Sequence, residues 1–325
     1  MIARTRFRAL MTGAPIDRVP LLEEGLRDDV LERWQREGMP AGGPATVFAY
    51  DRRQRIAIDL QLRPPGARGL VTRAELAAWR TNFERPLNER LAPDWLQRVS
   101  AWPARDHLLE LPIHSGLFLT MGVGDGDSLE AFMYMLADEP ETVQEAMALQ
   151  GELARRLTQR VLADIDLDML SISEPIGDNH GPLVGPAMYR TFALRTYQPL
   201  LDLARQAHVP ATVFMTYANA HALLPDVVAA GFNTLWAMET ETTAMDYRRL
   251  RQEFGPALRF IGGLDLDALL AGNAAIDQEL HTKVPELLAM GGCIPLADGR
   301  VRSSVSWQAY VYYRRLLEQM VKARK

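Results

Sequence analysis

Six polar side chains recur at one kind of place in this chain. Glu174 follows the apolar run Leu170–Ser173, Tyr217 and Asn219 follow Thr212–Met215, Glu239 follows Leu235–Met238, Asp265 follows Arg259–Leu264, and Asp298 follows Cys293–Ala297. A carboxylate so placed can move a proton, bind a cation or pin a ring nitrogen. A phenol can donate to a substrate oxygen, and a carboxamide offers a donor beside an acceptor. Each also has a plain structural use: Glu174 as a helix cap, Asp265 and Asp298 as braces for backbone N–H groups, Tyr217 and Asn219 as an inert rim.

Four further residues extend the set. His180, in Asp178-Asn179-His180-Gly181, and His114, which closes the run Leu108–Ile113, can act as acid–base groups near neutral pH. Glu24 and Arg27 follow the apolar Val19–Leu22 and can form an arginine–carboxylate clamp on an anionic substrate, or a surface pair. His107, His208, His221 and His281 fall in or beside helical segments and need no function.

Runs that end in polar residues and are followed by helical spacing read as successive strand–helix units of a parallel sheet. In a closed α/β barrel, functional groups stand where strands end and loops begin. Val19–Leu22 reads as the first strand and Leu108–Ile113 as another. Helices are expected over 3–11, Asp28–Glu37, Glu75–Trp79, Asp94–Val99 and Pro140–Ala163, with Gly, Pro and Arg-rich decoration or a short hairpin over 41–70. The glycine-rich Met121–Asp127 is a turn, with Ser128 capping a helix Leu129–Met135, because a dinucleotide loop would join a strand directly to a long helix.

The 325 residues, 48% hydrophobic and 24% charged, suffice for one large domain, taken here as 1–325. A net charge of −5 provides no basic field for nucleic acid. Cys293 is the single cysteine, which excludes an internal disulfide and a multi-cysteine metal site. No apolar stretch approaches the ~20 residues of a membrane helix, and the basic start lacks the apolar core of a signal peptide. A cytoplasmic protein, neither membrane-bound nor nucleic-acid-binding, is expected.

Several segments together carry a family likeness. Arg6-Phe7-Arg8-Ala9-Leu10-Met11 with Asp17-Arg18-Val19-Pro20, Glu32-Arg33-Trp34 with Glu37-Gly38-Met39-Pro40, Gly181-Pro182-Leu183-Val184-Gly185-Pro186 after Glu174, Gly262-Gly263-Leu264-Asp265, and Gly291-Gly292-Cys293-Ile294-Pro295 with Asp298 resemble the uroporphyrinogen decarboxylase superfamily. The pattern is closest to its corrinoid-linked methyltransferase-like branch. Ala237-Met238-Glu239 is similar to the Pro-x-Glu strand end of relatives. The resemblance implies a single (β/α)8 TIM barrel with an N-terminal extension and its active site at the strand C-termini.

The departures are informative. Many methyltransferases of this branch hold zinc through a His-x-Cys pair and a later cysteine, where this chain has Met215-Thr216-Tyr217-Ala218-Asn219. No zinc is expected at that position. Gly299 stands where relatives often have histidine, and Glu23-Glu24-Gly25-Leu26-Arg27 replaces the Arg-Gln-Ala-Gly-Arg segment of the porphyrinogen enzymes. The resemblance therefore implies an enzyme of zinc-independent methyl transfer or O-demethylation on a small-molecule substrate, with a corrinoid carried by a partner protein. Decarboxylase or other lyase chemistry on a heteroaromatic acid, and a non-catalytic binding barrel, are the alternatives. Glu174, His180 and Tyr217 are the expected catalytic residues; Glu24, Arg27, His114, Asn219, Glu239, Asp265 and Asp298 the expected substrate contacts. A homodimer is an open possibility for the assembly.

Overall fold

The computed structural model describes residues 1–237 and 243–322. Seven strands form: β1 Arg53–Arg55, β2 Leu108–His114, β3 Met169–Ser173, β4 Ala211–Thr216, β5 Thr234–Ala237, β6 Arg259–Leu264 and β7 Cys293–Ala297. Their order in the sheet is their order in the chain. The registers β2–β3, β3–β4, β5–β6 and β6–β7 are all parallel, with helices in the connections. The fold is thus α/β with a seven-stranded sheet. β4, β5 and β7 are buried at every position, the pattern of parallel strands covered on both faces.

The first strand was expected at Val19–Leu22, and this expectation is corrected. Those residues join no ladder, and side chains take up much of their hydrogen-bonding capacity. The Leu21 N–H donates to Asp51 Oδ2 (2.8 Å), and Arg18 and Arg314 donate to the carbonyls of Val19 and Leu22. The first strand lies instead within the segment read as decoration, at β1. Ser128 is also corrected: the helix Gly126–Asp138 is N-capped by Asp125, whose carboxylate accepts the Ser128 N–H (2.8 Å), while Ser128 returns the bond to the Asp125 N–H.

The chain forms two compact units, one of Met1–Arg53, Asp106–Leu108 and Thr234–Lys325, the other of Gln54–Arg105 and Leu109–Asn233. In the first, the helix Asp28–Arg36 buries Trp34 against Tyr310 of the helix Trp307–Lys322, with ring centroids 4.5 Å apart. The indole N–H of Trp34 donates to the Val305 carbonyl (2.8 Å). This packing, with Arg314 on Leu22, fixes the path of residues 21–27 and hence of Glu24. In the second unit, the helix Pro140–Asp164 packs on the helix Arg195–Gln206, where Gly151 lies against Thr196 so closely that a side chain would not fit easily.

Among the described residues, no helix is long and apolar enough to cross a membrane.

Candidate active site

The end of β3 delivers Glu174 into a fully buried position, held extended by Pro175. Its Oε1 accepts the Leu117 N–H (2.8 Å), and its Oε2 accepts the hydroxyls of Tyr197 (2.6 Å) and Tyr189 (3.4 Å). Burial without a cation raises the carboxyl to about 7, against the pull of those three donors. The two tyrosines are eight residues apart, which in a regular α-helix would splay them by about 80°. A π turn at Arg190–Leu194 inserts the extra residue that returns both to one face.

His114 belongs to the same cluster. A bulge in β2, where Pro112 pairs with Ser171 and His114 with Ile172, re-aims the strand end. The imidazole packs edge-on against Tyr197, with centroids 4.8 Å apart, and its Nδ1 accepts the Gly116 N–H (2.9 Å). Burial pushes its pKa down to about 3, so the ring is neutral and its remaining proton sits on Nε2. That buried Nε2–H has no acceptor among the described residues.

The other expected residues of this unit stand outside the cluster. Tyr217 is 40% exposed, with its hydroxyl 4.0 Å from Met215 Sδ. Asn219 turns its Oδ1 to the His221 N–H (3.2 Å), and its own N–H donates to the Asp178 carbonyl (2.8 Å). His180 is exposed and pairs with Asp178 (3.5 Å), and it is not among the hydrogen-bond partners of Glu174, which are Leu117, Tyr189 and Tyr197.

In the first unit, Glu24 is the notable carboxyl. Its side chain is only 4% exposed, and its Oε1 lies 3.5 Å from Arg300 Nε. Its Oε2 is buried with no hydrogen-bond partner among the described residues. Burial, reinforced by Glu23, raises it to about 7 despite Arg300 and Arg53. The Arg53 Nη2 donates to the carbonyls of Glu24 (2.7 Å) and Glu23 (3.3 Å), while its guanidinium lies 4.8 Å from the ring centre of Trp236. The indole N–H of Trp236 is buried and has no acceptor among the described residues. The expected clamp of Glu24 with Arg27 is corrected: Arg27 is half exposed and faces Asp29 (3.9 Å), and the arginines at Glu24 are Arg53 and Arg300.

Asp298 is a brace. Its Oδ1 accepts the Gly263 N–H (2.9 Å) and its own N–H donates to the Leu264 carbonyl (2.8 Å), tying β7 to β6. Asp265 closes a turn on the Asp267 N–H (2.7 Å), and its own N–H donates to Glu279. Glu239 lies outside the described residues. A cavity of about 400 Å³, bounded by Leu10, Ile16, Leu288, Gly291 and Val321 among others, lies near the start of β7 and holds none of the expected site residues.

Residues 117–290, more than half of the chain, match the model of the uroporphyrinogen decarboxylase (URO-D) family. The chain belongs to the URO-D family. No curated protein matches the sequence. Among solved structures, a methyltransferase from Methanosarcina mazei is similar over 98% of this chain and 98% of that one, with a TM-score of 0.67 at 16% identity, a likeness of fold.

The zinc carried by many methyltransferases of the URO-D superfamily does not fit the residues of this member. Residues 215–219 supply a thioether, two hydroxyls and an amide, none of them a ligand type that holds structural zinc. Burial pushes the Cys293 thiol up to about 12, away from the thiolate that zinc requires. Among the described residues, no three His, Cys, Asp or Glu side chains gather into a group able to hold a metal ion.

Proposed function

We propose that this URO-D-family protein is a methyltransferase-like barrel enzyme that takes a methyl group from an oxygen of a small substrate and delivers it to a corrinoid held by a partner protein. The observation that carries the reading is Glu24: a buried carboxyl, raised to about 7, with one oxygen that has no hydrogen-bond partner among the described residues. Breaking a methyl–oxygen bond leaves the electron pair on oxygen, which departs readily only when it gains a proton. A carboxyl that is largely protonated just below neutral pH is matched to that task, and general acid catalysis of this kind is worth roughly 10²–10⁴ in rate. The reduced corrinoid would supply the two-electron nucleophile that receives the methyl group.

The rest of the chain's part is positioning. Tyr310 donates to Glu23 Oε2 (2.6 Å) and Arg314 holds the Leu22 carbonyl, so the backbone that carries Glu24 is fixed. Glu174, with both oxygens occupied, is assigned here to positioning: it fastens the turn after β2 to the end of β3. The closed (β/α)8 barrel, with its active site at the strand C-termini, belongs to the same reading. The test is anaerobic incubation of the full-length protein with an aryl methyl ether and chemically reduced cobalamin. Release of the phenol only when protein and reduced cobalamin are both present supports the reading. Phenol release that is indifferent to the cobalamin, or none across a panel of methoxyarenes, contradicts it.

A further inference from the structure

Glu24 is not the only group in its surroundings with unused hydrogen-bonding capacity. The Trp236 indole offers one donor and no acceptor, and its Nε1–H is buried without an acceptor among the described residues. Trp236 stands at the penultimate position of β5, near the C-terminal end of that strand. Glu24 Oε2 is likewise buried without a hydrogen-bond partner among the described residues. Arg53 links the two. Its Nη2 donates to the Glu24 carbonyl (2.7 Å), and its guanidinium carbon lies 4.8 Å from the centre of the Trp236 ring. Arg300 Nε faces the other carboxyl oxygen, Oε1, at 3.5 Å. All four residues belong to the first unit. Buried polar atoms are rarely left unmet, and two of them joined by one arginine call for a partner from outside the chain.

The two groups differ in a way that suits a single oxygen atom. A protonated carboxyl can give up its proton, whereas the indole keeps its own and can only hydrogen-bond. An ether oxygen has two lone pairs, one for each donor. As the methyl–oxygen bond breaks, its electron pair stays on that oxygen, and a fixed N–H aimed there gains strength as the charge grows. We propose that Trp236 supplies the second hydrogen bond to the departing oxygen, its indole N–H holding the atom that Glu24 protonates. This deepens the methyl-transfer reading and rests on it for the reaction. The step balances: the oxygen takes the Glu24 proton and leaves as a phenol, Glu24 is left as a carboxylate, and the methyl group goes without the bonding pair to the reduced corrinoid, which brings two electrons of its own. The indole is unchanged throughout. The pair of donors also sets the substrate chemistry, because an oxygen at the reacting position meets both of them and a carbon in its place meets neither.

The deciding experiment needs neither corrinoid nor turnover. The full-length protein is titrated at pH 6, where Glu24 holds its proton, with methoxybenzene and with ethylbenzene, its counterpart with carbon in place of oxygen. Methoxybenzene is expected to bind saturably and roughly tenfold or more tightly, because ethylbenzene leaves two buried donors unmet. Trp236→Phe keeps an aromatic ring beside Arg53 and removes the N–H; it is expected to cut the preference for oxygen by about three- to tenfold. A merely structural role for Trp236 would weaken both ligands alike. In the demethylation assay the same variant should be slower by on the order of 10². Its rate should still decline above about pH 7, since Glu24 is intact. Equal affinity for the two ligands in the wild-type protein, an undiminished preference in Trp236→Phe, or no saturable binding of methoxybenzene would each overturn the second donor. The wild-type comparison carries the test if Trp236→Phe does not fold. The two proposals fail separately: an oxygen preference that Trp236→Phe removes, with no demethylation by the wild-type protein, leaves the contact standing and sinks methyl transfer, while demethylation at the wild-type rate by Trp236→Phe sinks the second donor alone.

Discussion

A carboxyl buried without a cation is best accommodated with its proton on, and this gives Glu174 a measurable signature. Its folded pKa of about 7 lies above the ordinary carboxylate value, so between roughly pH 4.5 and 7 the folded protein holds a proton that the unfolded chain has released. The associated stability is complete below the unfolded pKa and is lost as pH rises through the folded one. Glu174→Gln keeps the shape and removes the titration. The difference in melting temperature between variant and wild type is therefore expected to shift in the variant's favour from pH 5 to pH 8. A difference that stays flat over that range would show that Glu174 is ionised in the fold at all these pH values. Glu24 differs in kind, because one of its oxygens has no hydrogen-bond partner among the described residues.

At the scale of elements, the turn after β2 depends on a single missing side chain. Gly116 has φ +84°, and a Cβ there would come within 2.4 Å of Glu174 Oε1 and 2.6 Å of the Ser173 carbonyl. Gly116→Ala is expected to destabilise the protein by on the order of 2–4 kcal/mol, combining left-handed strain with overpacking. Urea denaturation measures this, and a loss below about 0.5 kcal/mol would mean that the turn relaxes without cost.

Much of this architecture was legible in the sequence. β6 and β7 coincide with the apolar runs Arg259–Leu264 and Cys293–Ala297, β2 and β3 differ from theirs by one residue at one end, and β4 by one residue at each end, because buried parallel strands are nearly continuous in apolar residues. Val19–Leu22 looked the same yet is not a strand, since its hydrogen bonds go to Asp51, Arg18 and Arg314, which are remote or side-chain partners that local pattern does not reveal. Glu24 and Glu174 were visible because each follows such a run. Their partners were not: Tyr189 and Tyr197 share a face only through a π turn, and Arg53, Trp236 and Arg300 come from three separate segments. Arg53 sat in a stretch read as decoration, and Trp236 lay inside the apolar run Leu235–Met238.

For the molecule as a whole, family membership and donor chemistry make different statements. The chain belongs to the URO-D family, yet residues 215–219 and Cys293 cannot form the soft tetrahedron of a zinc-dependent methyltransferase. Protein purified without chelator is expected to contain far less than one zinc per chain, and chelator treatment to leave its melting temperature and turnover unchanged. Stoichiometric zinc that is required for activity would show that another set of ligands has taken over the role.

The central claim is that Glu24 donates the proton in methyl–oxygen cleavage, and its most direct measurement is the pH dependence of phenol release by the wild-type protein and Glu24→Gln, with reduced cobalamin as acceptor. Wild-type turnover is expected to decline as pH rises through about 7, as the carboxyl loses its proton. The variant should be slower by roughly 10²–10⁴ and should lack that decline. Near-wild-type turnover in Glu24→Gln, or an unchanged decline above neutral pH, would contradict the claim.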